Sequence, residues 1–133
     1  MARFRRFVGF TVLLLVVLGC GGPMLVFPGG ALSGEVVTEA VEDWSFVTAS
    51  FVDLEFRPDD PYSVQLNYVV KDGNLYIDAA EGRCWFDYLR ADPRVRVRFD
   101  GNVYPLTAVL VGRPGELEGF DEDRFVYRLD ARP

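Results

Sequence analysis

The sequence contains no histidine and only two cysteines among its 133 residues. Histidine is the usual general base near neutral pH and the commonest metal ligand, so its absence excludes serine–histidine triads and histidine-based zinc sites. Cys20 lies in an apolar run where it would be buried in a membrane or lipidated, and it is therefore not expected to pair with Cys84. We predict that no disulfide holds the domain, and that Cys84 is a small buried residue.

Basic residues are scarce beyond the N-terminus. All 20 Asp and Glu but only 11 of the 14 Lys and Arg follow residue 27, which gives that part of the chain a formal charge of −9. An acidic surface repels phosphate backbones and anionic headgroups. The sequence thus argues against nucleic acid as a partner.

Charge is absent altogether from residues 7–27, and this run follows three arginines, Arg3, Arg5 and Arg6. Twenty-one uncharged residues in a helix span about 30 Å, the thickness of a bilayer core. We predict one N-terminal transmembrane helix, with the N-terminus in the cytoplasm and the domain outside, which is the periplasmic side in a Gram-negative cell. A lipoprotein anchored at Cys20 and a cleaved secretory signal remain alternatives.

The remaining chain is long enough for one domain. Residues 1–27 are predicted to be the membrane anchor or signal, and residues 28–43 a linker, since its first half is rich in glycine and proline and has side chains too small to pack. Residues 44–133 are predicted to form the domain. No internal repeat is visible.

A period of two dominates this domain and predicts strands. Alternation marks residues 51–57, 62–71, 75–78, 94–99 and 102–111, and Asp72-Gly73 and Asp100-Gly101 predict tight hairpin turns. Residues 83–91 predict a short helix, and residues 116–130 a helix or loop that packs back on the sheet. The fold class is mostly β with short helices. The predicted core consists of Val52, Leu54, Phe56, Leu66, Tyr68, Val97, Phe99 and Leu106, with Trp85 over its end.

Four stretches of the chain carry a family resemblance. They are Pro-Tyr-Ser-Val at 61–64, residues 67–77, Leu-Arg-Ala-Asp-Pro-Arg-Val-Arg-Val at 89–97 behind a helix that begins at Trp85, and residues 101–108. Together they resemble the flavin-binding split β-barrel superfamily, in the branch of pyridoxamine 5′-phosphate oxidase-like proteins and deazaflavin-dependent nitroreductases. The resemblance covers about residues 48–112. It implies a six-stranded antiparallel split barrel, commonly a homodimer, that binds FMN or F420 where the subunits meet.

The turn between the first two strands departs from this pattern. Cofactor-binding nitroreductases have a basic, glycine-rich turn there, whereas this chain has Arg57-Pro58-Asp59-Asp60-Pro61. Arg57 and Arg83 are the remaining candidates for an anion contact. Tyr62, Ser63, Asn67 and Trp85 are candidate ring or polar neighbours. The alternative is that both arginines are solvated and that the aromatic residues fill the core.

Other charged groups have simpler interpretations. Arg94, Arg96 and Arg98 form a basic stripe that could meet phosphate, but we favour pairing with a carboxylate row such as Asp53 and Glu55. The loop carboxylates Asp59, Asp60, Asp78 and Glu81 fit ordinary solvation better than a metal site. No catalytic constellation is identified.

Two functions from different classes are compatible with these patterns. The first is a membrane-anchored flavin- or deazaflavin-dependent oxidoreductase, in which the cofactor supplies the redox chemistry. The second is a split barrel without a cofactor that serves as a binding or assembly module at the membrane surface.

Overall fold

The computed structural model describes residues 29–133. Its strands are β1 (Glu35–Val36), β2 (Val52–Phe56), β3 (Tyr62–Leu66), β4 (Val69–Lys71), β5 (Asn74–Ala79), β6 (Arg94–Phe99), β7 (Asn102–Gly112) and β8 (Phe125–Ala131). The helix α1 (Cys84–Ala91) lies between β5 and β6, and a 3₁₀ helix occupies Trp44–Phe46.

Seven of these strands form one curled antiparallel sheet in the order β3-β2-β6-β7-β8-β5-β4, and the short β1 pairs in parallel with β7. The prediction of six strands is therefore wrong. The strand predicted at residues 62–71 is divided into β3 and β4, which lie at opposite edges of the sheet. In addition, β8 fills the space between β7 and β5 where a helix or loop was expected. Val126 and Leu129 on β8 are buried, and Arg128 pairs with Asp130, so its charged residues lie beside one another at the surface.

Both predicted hairpin turns are confirmed. Asp72 and Gly73 have φ of 53° and 76°, and Asp100 and Gly101 have φ of 49° and 79°. Positive φ at both central residues is what a type I′ turn requires. The turns set the register of β4 with β5 and of β6 with β7.

The predicted core is confirmed for six of its eight residues outside the helix. Val52, Leu54, Phe56, Val97, Phe99 and Leu106 are buried, whereas Leu66 and Tyr68 are half-buried. The ring of Trp85 on α1 stacks on Phe56 with centroids 5.4 Å apart. This contact places the helix over one end of the sheet.

Residues 29–37, which we call the strap, run across the sheet. Gly29 exchanges backbone hydrogen bonds with Ser63 of β3, and the amides of Glu35 and Val37 donate to Gly101 and Val103 at β7. The expectation that this segment does not pack is wrong for Leu32, which is buried. The boundaries at residues 27 and 43 stay predictions.

No helix within residues 29–133 has the length and apolar character needed to cross a membrane. The predicted anchor at residues 7–27 and the candidate lipid attachment at Cys20 lie outside the described residues.

Candidate functional site

The basic stripe of β6 lies beside the acidic residues of β2. Arg96 donates from Nε and Nη2 to the two carboxylate oxygens of Glu55 at 2.8 and 2.7 Å, and Arg98 donates from Nε and Nη2 to one oxygen of Asp53 at 3.1 and 2.9 Å. The register of β2 with β6 sets both pairs directly opposite each other. The predicted pairing is confirmed. We call these four residues the ionic clasp.

The ionic clasp also holds the strap. The amide of Leu32 donates to Glu55 at 2.7 Å, while Arg96 and Arg98 donate to the carbonyls of Leu32 and Ser33, each at 3.1 Å. Burial disfavours the charge of Glu55, but the hydrogen bonds from Arg96 and Leu32 outweigh it and lower the pKa of this carboxyl. The hydrogen bond to Glu55 raises the pKa of Arg96. These arginines are committed to the protein itself and not to a ligand phosphate.

Arg57 has a different environment at the end of β2. Its guanidinium carbon lies 3.9 Å from the centre of the Tyr88 ring on α1 and 5.9 Å from that of Tyr62. The two tyrosine rings meet edge to face, with centroids 5.3 Å apart. The Nε of Arg57 is buried and has no hydrogen-bond partner in the described part of the chain. We call these three residues the Arg57 cluster.

The Arg57 cluster places a cation that is 34% exposed beside two aromatic rings. Burial raises the pKa of Tyr62, the neighbouring Tyr88 adds to this, and Arg57 opposes it. Tyr62 therefore stays a neutral hydrogen-bonding phenol at physiological pH. A planar cation against aromatic faces suits a ligand that is itself flat and negatively charged.

The turn beside the Arg57 cluster opposes an anion. Asp60 lies 3.5 Å from Nη2 of Arg57, and Asp59 lies 3.7 Å from Nη2 of Arg94. Both carboxylates are at least 85% exposed. Pro58 and Pro61 have no N–H to donate. The turn thus lacks the backbone donors and the excess positive charge that cradle a phosphate.

The structure brings together only part of the predicted site. Arg57 and Tyr62 meet in the Arg57 cluster, and Trp85 lies in the adjacent core. The others are separate: Ser63 is buried against Gly29, Asn67 is exposed beyond the opposite end of β3, and Arg83 is exposed before α1. Their assignment to cofactor binding stays a prediction.

Tyr88 was missed as a site residue in the sequence. It lies three residues after Trp85, and this helical spacing alone indicates the core-facing side of α1. Tyr88 is partly buried, but its ring also contacts Arg57. A signal was available, since an arginine ending one strand and an aromatic residue on the capping helix make a common cation–π pair.

Cys84 is half-buried at the first residue of α1 and is disulfide-bonded. The prediction that no disulfide constrains the domain is therefore wrong, and a thiolate nucleophile at Cys84 is excluded in this state. Cys20, the other cysteine of the sequence, lies outside the described residues. Among residues 29–133, no three acidic or cysteine side chains group as metal ligands would.

No protein-family model matches the sequence, and no curated protein matches it. The structure resembles a pyridoxamine 5′-phosphate oxidase, so described, from Listeria innocua, at 14% identity and a TM-score of 0.48, over 64% of this chain and 86% of that one. It also resembles a FAD-binding protein from Mesorhizobium loti, at 18% identity and 0.47, over 64% and 81%.

A third similar structure is described as an F420 reductase, at 14% identity and a TM-score of 0.45, over 70% of this chain and 90% of that one. The neighbours are thus of the kind that the sequence resemblance names. At this level of similarity their functions do not carry over to the present chain.

Proposed function

We propose that this protein is a split-barrel domain, tethered outside the cytoplasm, that binds a flavin or deazaflavin at the Arg57 cluster and binds it weakly. The observation that carries the proposal is Arg57, whose guanidinium lies on the Tyr88 ring with one buried donor unpaired. An unpaired buried donor has a free-energy cost, and such costs are commonly tolerated at binding sites. The family resemblance of the sequence supplies the ligand class.

The described residues fit one part of such a ligand better than another. Arg57, which covers one face of the Tyr88 ring, would supply positive charge, and Tyr62 would supply a ring face for a flat heterocycle. The phosphate end meets two prolines and two exposed carboxylates, which weaken its attraction. When bound, a flavin or deazaflavin supplies hydride chemistry. The role of this chain is to orient the ring system. A homodimer remains part of the proposal, by resemblance alone.

A second candidate is a binding or assembly module without a cofactor. It is favoured by the turn, where Asp59 and Asp60 lie near Arg94 and Arg57 and so reduce the positive charge that a nucleotide would need. Fold similarity is compatible with either function. Binding measurements separate them.

The test is titration of the full chain in lipid nanodiscs with FMN and with F420, followed by fluorescence. Arg57→Gln should weaken binding at least about tenfold, because a hydrogen bond or contact with a charged group contributes more than the 1.4 kcal/mol that this factor requires. Arg90→Gln is the matched control, since Arg90 also lies over a ring, that of Phe86 at 4.3 Å, but is paired with Asp87.

The outcomes separate the two candidates. Weakening in Arg57→Gln with little change in Arg90→Gln supports the proposed site. Equal binding by all three proteins places the ligand elsewhere. No binding of FMN or F420 to wild type favours the module without a cofactor.

The proposed location outside the cytoplasm is supported by the three N-terminal arginines and by the disulfide at Cys84, because disulfides persist in oxidising compartments. A protease-sensitive tag after Pro133 should be cleaved in intact spheroplasts. Protection of the tag would contradict this location.

A variant of Cys20 tests whether the tether is an uncleaved transmembrane span or a lipid. Cys20→Ser should remain in the membrane if the apolar run is an uncleaved span. Release of the variant, or fatty-acid labelling of wild type, would favour the lipoprotein. Peptide mapping without reductant adds a third outcome: a link from Cys84 to Cys20 would place Cys20 outside the hydrocarbon and favour a cleaved signal.

A further inference from the structure

A cleft lies away from the Arg57 cluster, between residues 37–41, residues 104–106 of β7 and residues 131–133. Its volume is about 260 Å³. Val37, Val41 and Leu106 contribute apolar wall, and Arg132 contributes a cation. For comparison, a dry apolar cavity of about 150 Å³ accommodates benzene. The cleft is therefore large enough for a small organic molecule.

Arg132 holds its position through the backbone. Its Nε donates to the carbonyl of Leu106 at 3.1 Å and its Nη2 to the carbonyl of Val95 at 2.8 Å. Unlike Arg96 and Arg98, it forms no ion pair with a carboxylate of residues 29–133. The guanidinium is thus fixed in direction while Nη1 makes no hydrogen bond to another described residue.

The surroundings of Arg132 favour an added negative charge. Burial lowers the pKa of Arg132, and repulsion from Arg94 and Arg96 lowers it further, with partial compensation from Asp92 and Glu55. Arg94 and Arg96 are themselves paired with Asp92 and Glu55, so Arg132 is the nearby arginine whose charge has no carboxylate partner among residues 29–133.

The chemistry of the cleft limits what that anion can be. It offers a single cation, and Glu39 lines the same cleft, so a dianionic phosphate would be poorly balanced. Its apolar walls reward a hydrocarbon body. We propose that this cleft binds a small monocarboxylate with an apolar body, whose carboxylate accepts hydrogen bonds from Arg132.

The probe is hexanoate, with hexanamide as the uncharged compound of matched length. Binding to the full chain in nanodiscs is measured by chemical-shift changes of the Arg132 Nε–H and of the backbone amides of Tyr104 and Leu106. Hexanoate should bind at least about tenfold more tightly than hexanamide, because a charge-assisted hydrogen bond is roughly twice as strong as a neutral one.

Two variants test the site. Arg132→Gln should abolish the preference for hexanoate. Because that change also removes two bonds to backbone carbonyls, Ala131→Leu provides an independent test: it fills the cleft, leaves Arg132 in place and should prevent binding of both compounds. Val109→Leu, on the exposed part of β7 outside the cleft, is the control and should bind as wild type does.

Equal affinity for the two compounds would overturn the carboxylate assignment. If hexanoate causes the same chemical-shift changes in Ala131→Leu as in wild type, then it partitions into the bilayer or binds elsewhere. That result would overturn the proposal. Because these probes report on the Arg132 cleft, a failure here leaves the Arg57 proposal standing, and the reverse also holds.

Discussion

Arginines of two neighbouring regions of this sheet differ in how completely they are paired. In the ionic clasp, Arg96 and Arg98 each donate two hydrogen bonds to one carboxylate and a further one to a strap carbonyl. In the Arg57 cluster, the guanidinium lies on a ring, has one long ion pair at 3.5 Å and leaves a buried donor unused. Full pairing is typical of a structural role, whereas incomplete pairing leaves an arginine free to contact a ligand; Arg124, whose buried Nε also has no hydrogen-bond partner in the described residues, shows that incomplete pairing alone does not define a site.

The carboxylate partners of Arg96 and Arg57 also differ in how exposed they are to solvent. Glu55 is only 3% exposed and Arg96 24%, so their pair is largely shielded from water. Asp60, the partner of Arg57, is 85% exposed, so that pair is strongly screened. A surface pair of this kind contributes little stability, and its arginine can be recruited by a ligand at low cost.

The largest expected effect is in the ionic clasp. Glu55→Ala leaves Arg96 without its carboxylate and the Leu32 amide without its acceptor, so we expect a loss of about 3 kcal/mol in the free energy of unfolding. Asp87→Ala, which breaks the exposed pair with Arg90, should change it by less than about 0.5 kcal/mol. Chemical denaturation measures both. A loss as small for Glu55→Ala as for Asp87→Ala would remove the distinction between the two regions.

The pH dependence of stability also tests the contribution of Glu55 in the ionic clasp. Because the pKa of Glu55 is lower in the folded state, its stabilisation is present above its ordinary pKa and is lost as pH falls through the folded value. Asp78, whose burial raises its pKa, contributes with the opposite sign. Between about pH 6 and pH 3, wild type should therefore lose more stability than Glu55→Gln, which has no charge at this position to lose. Parallel curves for the two proteins would contradict this.

The smallest effect concerns the turn. Asp59→Gly combined with Asp60→Lys removes two carboxylates near the Arg57 cluster and should tighten FMN or F420 binding by at least about tenfold, which corresponds to 1.4 kcal/mol. The control is Asp121→Gly with Asp123→Lys, a similar charge change beside Arg124. Equal tightening in both double variants would indicate a nonspecific effect of net charge.

The alternation of polar and apolar residues, together with the Asp-Gly turns, was sufficient to predict most of the sheet from the sequence. The Asp-Gly turns and the buried faces of β2 and β6 followed from period two and from the sterics of positive φ. β8 was missed because the short alternation of Tyr127 and Leu129 with Arg128 and Asp130 was taken together with the charged residues 116–124, and pairing with both β5 and β7 stabilises it as a strand. Such pairing is a tertiary effect that local patterns do not contain.

The ionic clasp was predictable in part. The facing rows on β2 and β6 followed from alternation, but the third participant, the strap, did not. Glycine and proline near residues 28–34 suggested a linker, whereas the backbone amide and carbonyl groups of residues 32 and 33 supply the contacts. Backbone groups are present in every residue, so their use leaves no mark in composition. Tyr88 in the Arg57 cluster was missed for a related reason, since a residue can serve both the core and a site.

The strap has a practical consequence for how the domain is cut from the chain. A soluble fragment that begins at residue 44, the boundary suggested by composition, would lack the amide of Leu32 and the carbonyls of Leu32 and Ser33. It would also uncover the outer edge of β3 at Ser63 and leave a bare strand able to pair with another molecule. A fragment that begins at residue 29 keeps these partners, so a few residues of apparent linker separate a well-behaved recombinant domain from one inclined to aggregate.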